Sequence, residues 1–115
     1  MKFVTLILLA LLGFSVEEAH AKTVVKVGGY EFPPYIEIVD GRASGLTVEL
    51  ISELNKMQHS YHFELVLTTP IRRFKDYQKG LFDSVFFENP DWGWLQGNNI
   101  ISNSPVIATD SEVFI

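Results

Sequence analysis

Cysteine is absent from all 115 residues. That excludes disulfide crosslinks, thiol nucleophiles, thiolate metal sites and a lipid-modified cysteine. An exported chain of this size without crosslinks depends on a packed core for its stability. Histidine is scarce too, at three residues. His20 sits in the N-terminal stretch, and His59 and His62 flank a strand start as surface positions, so no metal is expected. Basic charge is short, with 9 Lys and Arg against 14 Asp and Glu and a net charge of −5. Nucleic acid and anionic membrane are therefore poor partners. G-x-S-x-G, P-loop, H-E-x-x-H and G-x-G-x-x-G motifs are all missing. Nothing marks an enzyme, and no cofactor is expected. There is also no apolar run of the roughly 20 residues that a membrane span requires.

What is present begins with "MKFVTLILLALLGFSVEEAHA". Lys2 gives a short basic start, Phe3 to Phe14 an apolar run, and Ala19-His20-Ala21 the small-x-small pattern read by signal peptidase. A signal peptide over residues 1–21 is expected, leaving Lys22 to Ile115 as the exported domain. Removing Lys2, Glu17 and Glu18 leaves 8 basic and 12 acidic residues, a net charge of −4. Without an anchoring cysteine the product should be free and soluble, which suits a periplasm, and a monomer is expected.

Along the exported part, "TVVKVGG" (Thr23 to Gly29) predicts a strand of β-branched residues ended by glycines. "YIEIV" (Tyr35 to Val39) alternates and stops at Asp40-Gly41, a tight-turn signal. "GLTVELISELNKMQ" carries Leu46, Leu50, Ile51, Leu54 and Met57 at helical spacing, with Ser44 or Thr47 as cap. "YHFELVL" (Tyr61 to Leu67) alternates strictly. "TTPIRRFKDYQKG" predicts a helix capped by Thr69, with Pro70 in its first turn, an inner stripe of Ile71, Phe74 and Tyr77, and Gly80 as its stop. "LFDSVFF" (Leu81 to Phe87) is a third strand, and periodicity then fades through "ENPDWGWLQGNN". The order strand, helix, strand, helix, strand argues for an α/β fold with a mostly parallel sheet flanked by helices.

In such sheets ligands bind at loops leaving the carboxyl ends of the strands. Those loops hold Tyr30, Phe32, Arg72, Glu88, Trp92 and Trp94, which are the candidate ligand-binding residues. Flat apolar walls with a few orienting charges are what a small-molecule pocket needs. Phe32, fixed between a strand end and Pro33-Pro34, is the strongest candidate wall. Arg72 and Arg73 open a helix, where a cation opposes the macrodipole, so helix stability does not explain them. Packing at a domain edge is the competing explanation for Trp92 and Trp94.

The run "VKVGGYEFPPYIE…GRASGLTVELISELNK…YHFELVLTTPIRRFKDYQKGLFDSVFF" resembles the extracellular solute-binding proteins of family 3. These are type II periplasmic binding proteins that serve polar amino acid ABC transporters. The resemblance rests on the aromatic-Pro corner, the "G-x-x-x-x-L" that opens the first helix, and the "K-G-x-x-D" that enters the third strand. It implies a two-lobed clamp, with Lys22 to Ile115 forming the first part of lobe 1 and "PVIATDSEVFI" the first hinge strand. On that resemblance the domain is incomplete, ending near the first crossing into lobe 2. It implies stacking of a small polar solute, an amino acid among the candidates, on Phe32, and hydrogen bonding of a ligand amine by Glu88. Leu95 stands about where amino acid binders carry a carboxylate-gripping arginine, and Arg72 or Arg73 is the candidate replacement. Thr47 replaces the family's acidic residue inside the first helix. The expected partner is an ABC permease. The alternatives are a sensing domain that signals to a membrane kinase or cyclase, and an inactive truncated product.

Overall fold

In a computed structural model the described residues are 21–96 and 101–109. Apart from Ala21, the expected signal peptide lies outside them, as do residues 110–115 of the expected hinge strand. The chain forms β1 (Thr23–Gly29), β2 (Glu37–Val39), β3 (Arg42–Ser44), α1 (Leu46–Met57), β4 (Tyr61–Leu67), α2 (Arg73–Gln78) and β5 (Ser84–Val85). Three strands make one sheet in the order β4-β1-β5, and both pairings are parallel. This is a small α/β domain with a mostly parallel sheet flanked by helices, as the alternating pattern predicts.

β1 is the centre of the sheet. Thr23 to Gly29 pair in register with Tyr61 to Leu67, while Val27 and Gly28 pair with Ser84 and Val85. Its last three residues are buried, and Val27 is wholly inaccessible. Gly28 and Gly29 lie within the strand, not beyond its end. Their need for no side chain comes from packing on both faces. A Cβ on Gly28 would stand 2.6 Å from the Phe82 ring, and one on Gly29 would stand 2.3 Å from Ile36 Cδ1. Successive strand residues face opposite ways. One face therefore takes Phe82, whose ring meets Tyr77 of α2, and the other takes Ile36. Burying a side chain such as Phe82 contributes about 1.5–3 kcal/mol.

The expected strand at Tyr35 to Val39 is shorter and belongs to a hairpin. β2 and β3 pair antiparallel across Asp40 and Gly41, whose φ angles of 51° and 75° fit the tight turn read from the sequence. β3 has too few residues to show a pattern in the sequence. The third strand contracts from the expected Leu81–Phe87 to two residues, because Leu81 N–H is drawn to the Asp76 carbonyl and Phe87 adopts a φ of 57°.

α1 has the expected span but neither expected cap. Gly45 is the N-cap, and the N–H groups of Leu46 and Thr47 donate to the carbonyls of Pro34 and Tyr35 at 3.1 and 2.9 Å. The aromatic corner itself thus caps the helix. Gly45 has φ 109°, and a Cβ there would come within 2.7 Å of those same two carbonyl oxygens. The inner stripe is also rotated. Thr47 and Ile51 are buried, whereas Leu46 and Met57 are exposed. Asn55 and Gln58 extend that stripe toward the outer edge of β4. The Asn55 amide brackets the Phe63 backbone, donating to its carbonyl at 3.0 Å and accepting from its N–H at 2.8 Å. Gln58 does the same at Tyr61. Side chains thereby occupy an edge that would otherwise invite another strand.

α2 ends as expected at Gly80, with φ 75° and its N–H bonded to the Tyr77 carbonyl. Thr69 holds the turn that precedes α2, accepting from Arg72 N–H at 3.1 Å. The inner stripe differs from expectation at Ile71, which is 89% exposed, while Asp76 is buried and accepts from the Thr68 hydroxyl at 2.7 Å. Residues 101–109, including the described part of the expected hinge strand, have no regular secondary structure.

Candidate functional site

The loops after β1 and β5 meet where the parallel strands end. After β1, Phe32 and Ile36 exchange backbone hydrogen bonds of 2.9 and 3.1 Å across the Pro33-Pro34 pair, which is joined by a cis peptide. This closes the corner and holds Phe32 out, 39% exposed. After β5, "NPDW" makes a turn with Pro at its second position, where its fixed φ suits the geometry. Asn89 accepts from Asp91 N–H through its side chain and from Trp92 N–H through its carbonyl. Gly93, with φ 97°, then lets the chain pass the Phe74 ring, which would lie 3.1 Å from a Cβ there. The glycine thus sends two neighbouring indoles to different fates. Trp92 is 45% exposed, whereas Trp94 is 4% exposed and packs on Phe74 and Tyr77.

Glu88 is the hub of the interior. Its Oε1 accepts from the Tyr30 hydroxyl at 2.5 Å and its Oε2 from the Trp94 indole N–H at 2.7 Å. Arg73 Nε lies 3.4 Å from Oε2, and the two side chains are 12% and 7% exposed. The guanidinium also donates to the carbonyls of Pro70 and Trp92 and lies over the rings of Tyr30 and Phe74. A buried carboxylate needs both a compensating charge and hydrogen bonds, and Glu88 has both. Tyr30 pays in acidity: burial, then the hydrogen bond and charge of Glu88, push its phenol well above the usual tyrosine range, while Arg73 opposes.

The six residues expected in the site therefore divide. Tyr30, Glu88 and Trp94 are joined to one another inside the fold. Phe32 and Trp92 face outward. Arg72 is not brought to them: its side chain is 66% exposed and pairs with Asp76 at 3.6 Å. The arginine at the cluster is its neighbour Arg73. In the sequence the two stand side by side at the start of a short helix, and a one-residue shift decides which points inward.

A row of rings starts at this cluster. Tyr30, Phe32, Tyr35 and Phe87 follow one another at centroid distances of 6.1, 5.5 and 4.9 Å. Two spaces adjoin it. One, beneath the corner and bordered by Thr47 and Glu88, has about 20 Å³, room for roughly one water. The other is an open concavity of about 950 Å³ between the ring row, Trp92 and the segment 101–109. Only the second has the size of a small-molecule site. Among the described residues no three acidic or histidine side chains gather as a metal site, and no helix is long and apolar enough to cross a membrane. No protein-family model, curated protein or solved structure matches the chain.

Proposed function

We propose that the chain is a periplasmic solute-binding protein, or part of one, and forms the first lobe of a clamp that captures a small polar solute for an ABC transporter. The observation that carries this reading is the row of rings on the loops after β1 and β5, with Phe32 exposed, beside an open concavity of ligand size. Phe32 stacks on the solute, Trp92 lines the opposite rim, and the Arg73–Glu88 pair holds Tyr30 and Trp94 rigid behind them. Glu88 then acts through the residues it positions, since both its oxygens already accept hydrogen bonds.

Titration calorimetry of the purified protein against amino acids, amines and short oligosaccharides tests the reading. Saturable heat with at least one class, reduced in a Phe32→Ala variant, is the expected result. A folded protein that gives no heat with any class would sink it.

A further inference from the structure

The small space beneath the aromatic corner is bordered by two polar side chains from distant parts of the chain, Thr47 of α1 and Glu88 of the loop after β5. Thr47 is 2% exposed, and its hydroxyl has no hydrogen-bond partner among the described residues. The hydroxyl does not cap α1, because the N–H groups of Leu46 and Thr47 already donate to the carbonyls of Pro34 and Tyr35. Among the described residues the one sealed polar side-chain atom without a partner is Arg73 Nε. The Thr47 hydroxyl therefore keeps a little access, and the space it borders is where that access leads. A hydroxyl this deep is costly unless something hydrogen-bonds to it. Across the space, each Glu88 oxygen accepts one hydrogen bond and has a second lone pair left. Its charge is met by Arg73, so the space suits a neutral occupant and not an ion. A volume of about 20 Å³ is enough for one water and too little for a solute.

We infer that this space is a hydration site, in which one ordered water accepts from the Thr47 hydroxyl and donates to a Glu88 oxygen. The water extends the buried network of Arg73, Glu88, Tyr30 and Trp94 by one link, to the first turn of α1. It thereby ties the helix that the β1 corner caps to the loop after β5. A bridging water does this nearly as well as a direct hydrogen bond. The site is independent of the solute reading, which uses the larger concavity.

The test compares the full chain with Thr47→Val, which keeps the shape of the side chain but removes its hydroxyl, and with Thr47→Ser, which keeps the hydroxyl. Loss of the hydroxyl strands the water, so Thr47→Val should raise the unfolding constant in urea denaturation at least about 5-fold. A dry space predicts the opposite sign, because valine then removes an unsatisfied polar group. Water–amide cross-relaxation in NMR reads the occupancy directly. The parent and Thr47→Ser should show a long-lived water beside the Gly29 and Phe87 amides, and Thr47→Val should lose it. Circular dichroism checks that both variants fold; if the valine variant does not, the parent and serine spectra decide. No such water in the parent, an unchanged water signal in Thr47→Val, or a valine variant at least as stable as the parent would each overturn the inference. None of these outcomes touches the solute reading.

Discussion

The loops after β1 and after β5 meet at the same end of the sheet but use their chemistry in different ways. The β5 loop contributes Glu88, a carboxylate whose two oxygens are occupied by Tyr30 and Trp94, with Arg73 alongside. The β1 loop contributes Phe32, which has no polar atom beyond its backbone and stands open to solvent. The charged residue is thus part of the scaffold, and the apolar one is the available surface. Replacing a buried ion pair by apolar residues is often neutral, so the pair is weak evidence for stability. Here it braces Tyr30, the first ring of the row.

The sharpest way to break this contrast is to remove one partner of the buried pair. Arg73→Ala leaves Glu88 enclosed without a compensating charge and should cost about 3–5 kcal/mol in urea denaturation. A loss below about 1 kcal/mol would mean that Glu88 is reached by water. Next comes the packing that brings the two loops together. Gly28→Ala drives a methyl into the Phe82 ring and should cost about 1–3 kcal/mol by the same assay; a neutral effect would contradict the close contact.

Tyr30 provides a pH test. Its folded pKa is raised above the ordinary value of 10.0, so the phenol's contribution is fully present below that value and is lost as pH rises above it. Stability should therefore fall at pH above about 10 more steeply in the parent than in Tyr30→Phe. Parallel curves would show that Tyr30 is not confined by Glu88. The smallest effect belongs to Arg72→Ala. An exposed ion pair contributes little, so the change should stay within about 1 kcal/mol, with ligand affinity unaltered. Loss of affinity would return Arg72 to the site.

Much of the fold was legible because short-range rules set it. β-branched residues mark β1 and alternation marks β4, the Asp40-Gly41 turn and the Gly80 stop have their own backbone signatures, and α1 follows its apolar spacing. What was illegible depends on distant partners. Gly45 caps α1 because the Pro34 and Tyr35 carbonyls come to it, so no capping side chain exists to be read. The roles of Gly28 and Gly29 depend on Phe82 and Ile36, which approach from opposite faces. Glu88 meets Tyr30 from 58 positions away, and only that meeting turns an expected ligand contact into a brace. Charge inventory gave the right element for an inward arginine. The choice between Arg72 and Arg73 turns on helix phase, which six residues of α2 are too few to reveal.

The division between scaffold and surface comes down to two indoles separated by one glycine. A nitrogen–proton NMR spectrum resolves both side-chain N–H signals during a titration with a solute that gives heat in the calorimetric screen. The account predicts that the Trp92 signal moves with saturation while the Trp94 signal stays fixed and exchanges slowly with solvent, held by Glu88. A Trp94 signal that exchanges as fast as that of Trp92, or that moves in its place, would contradict it.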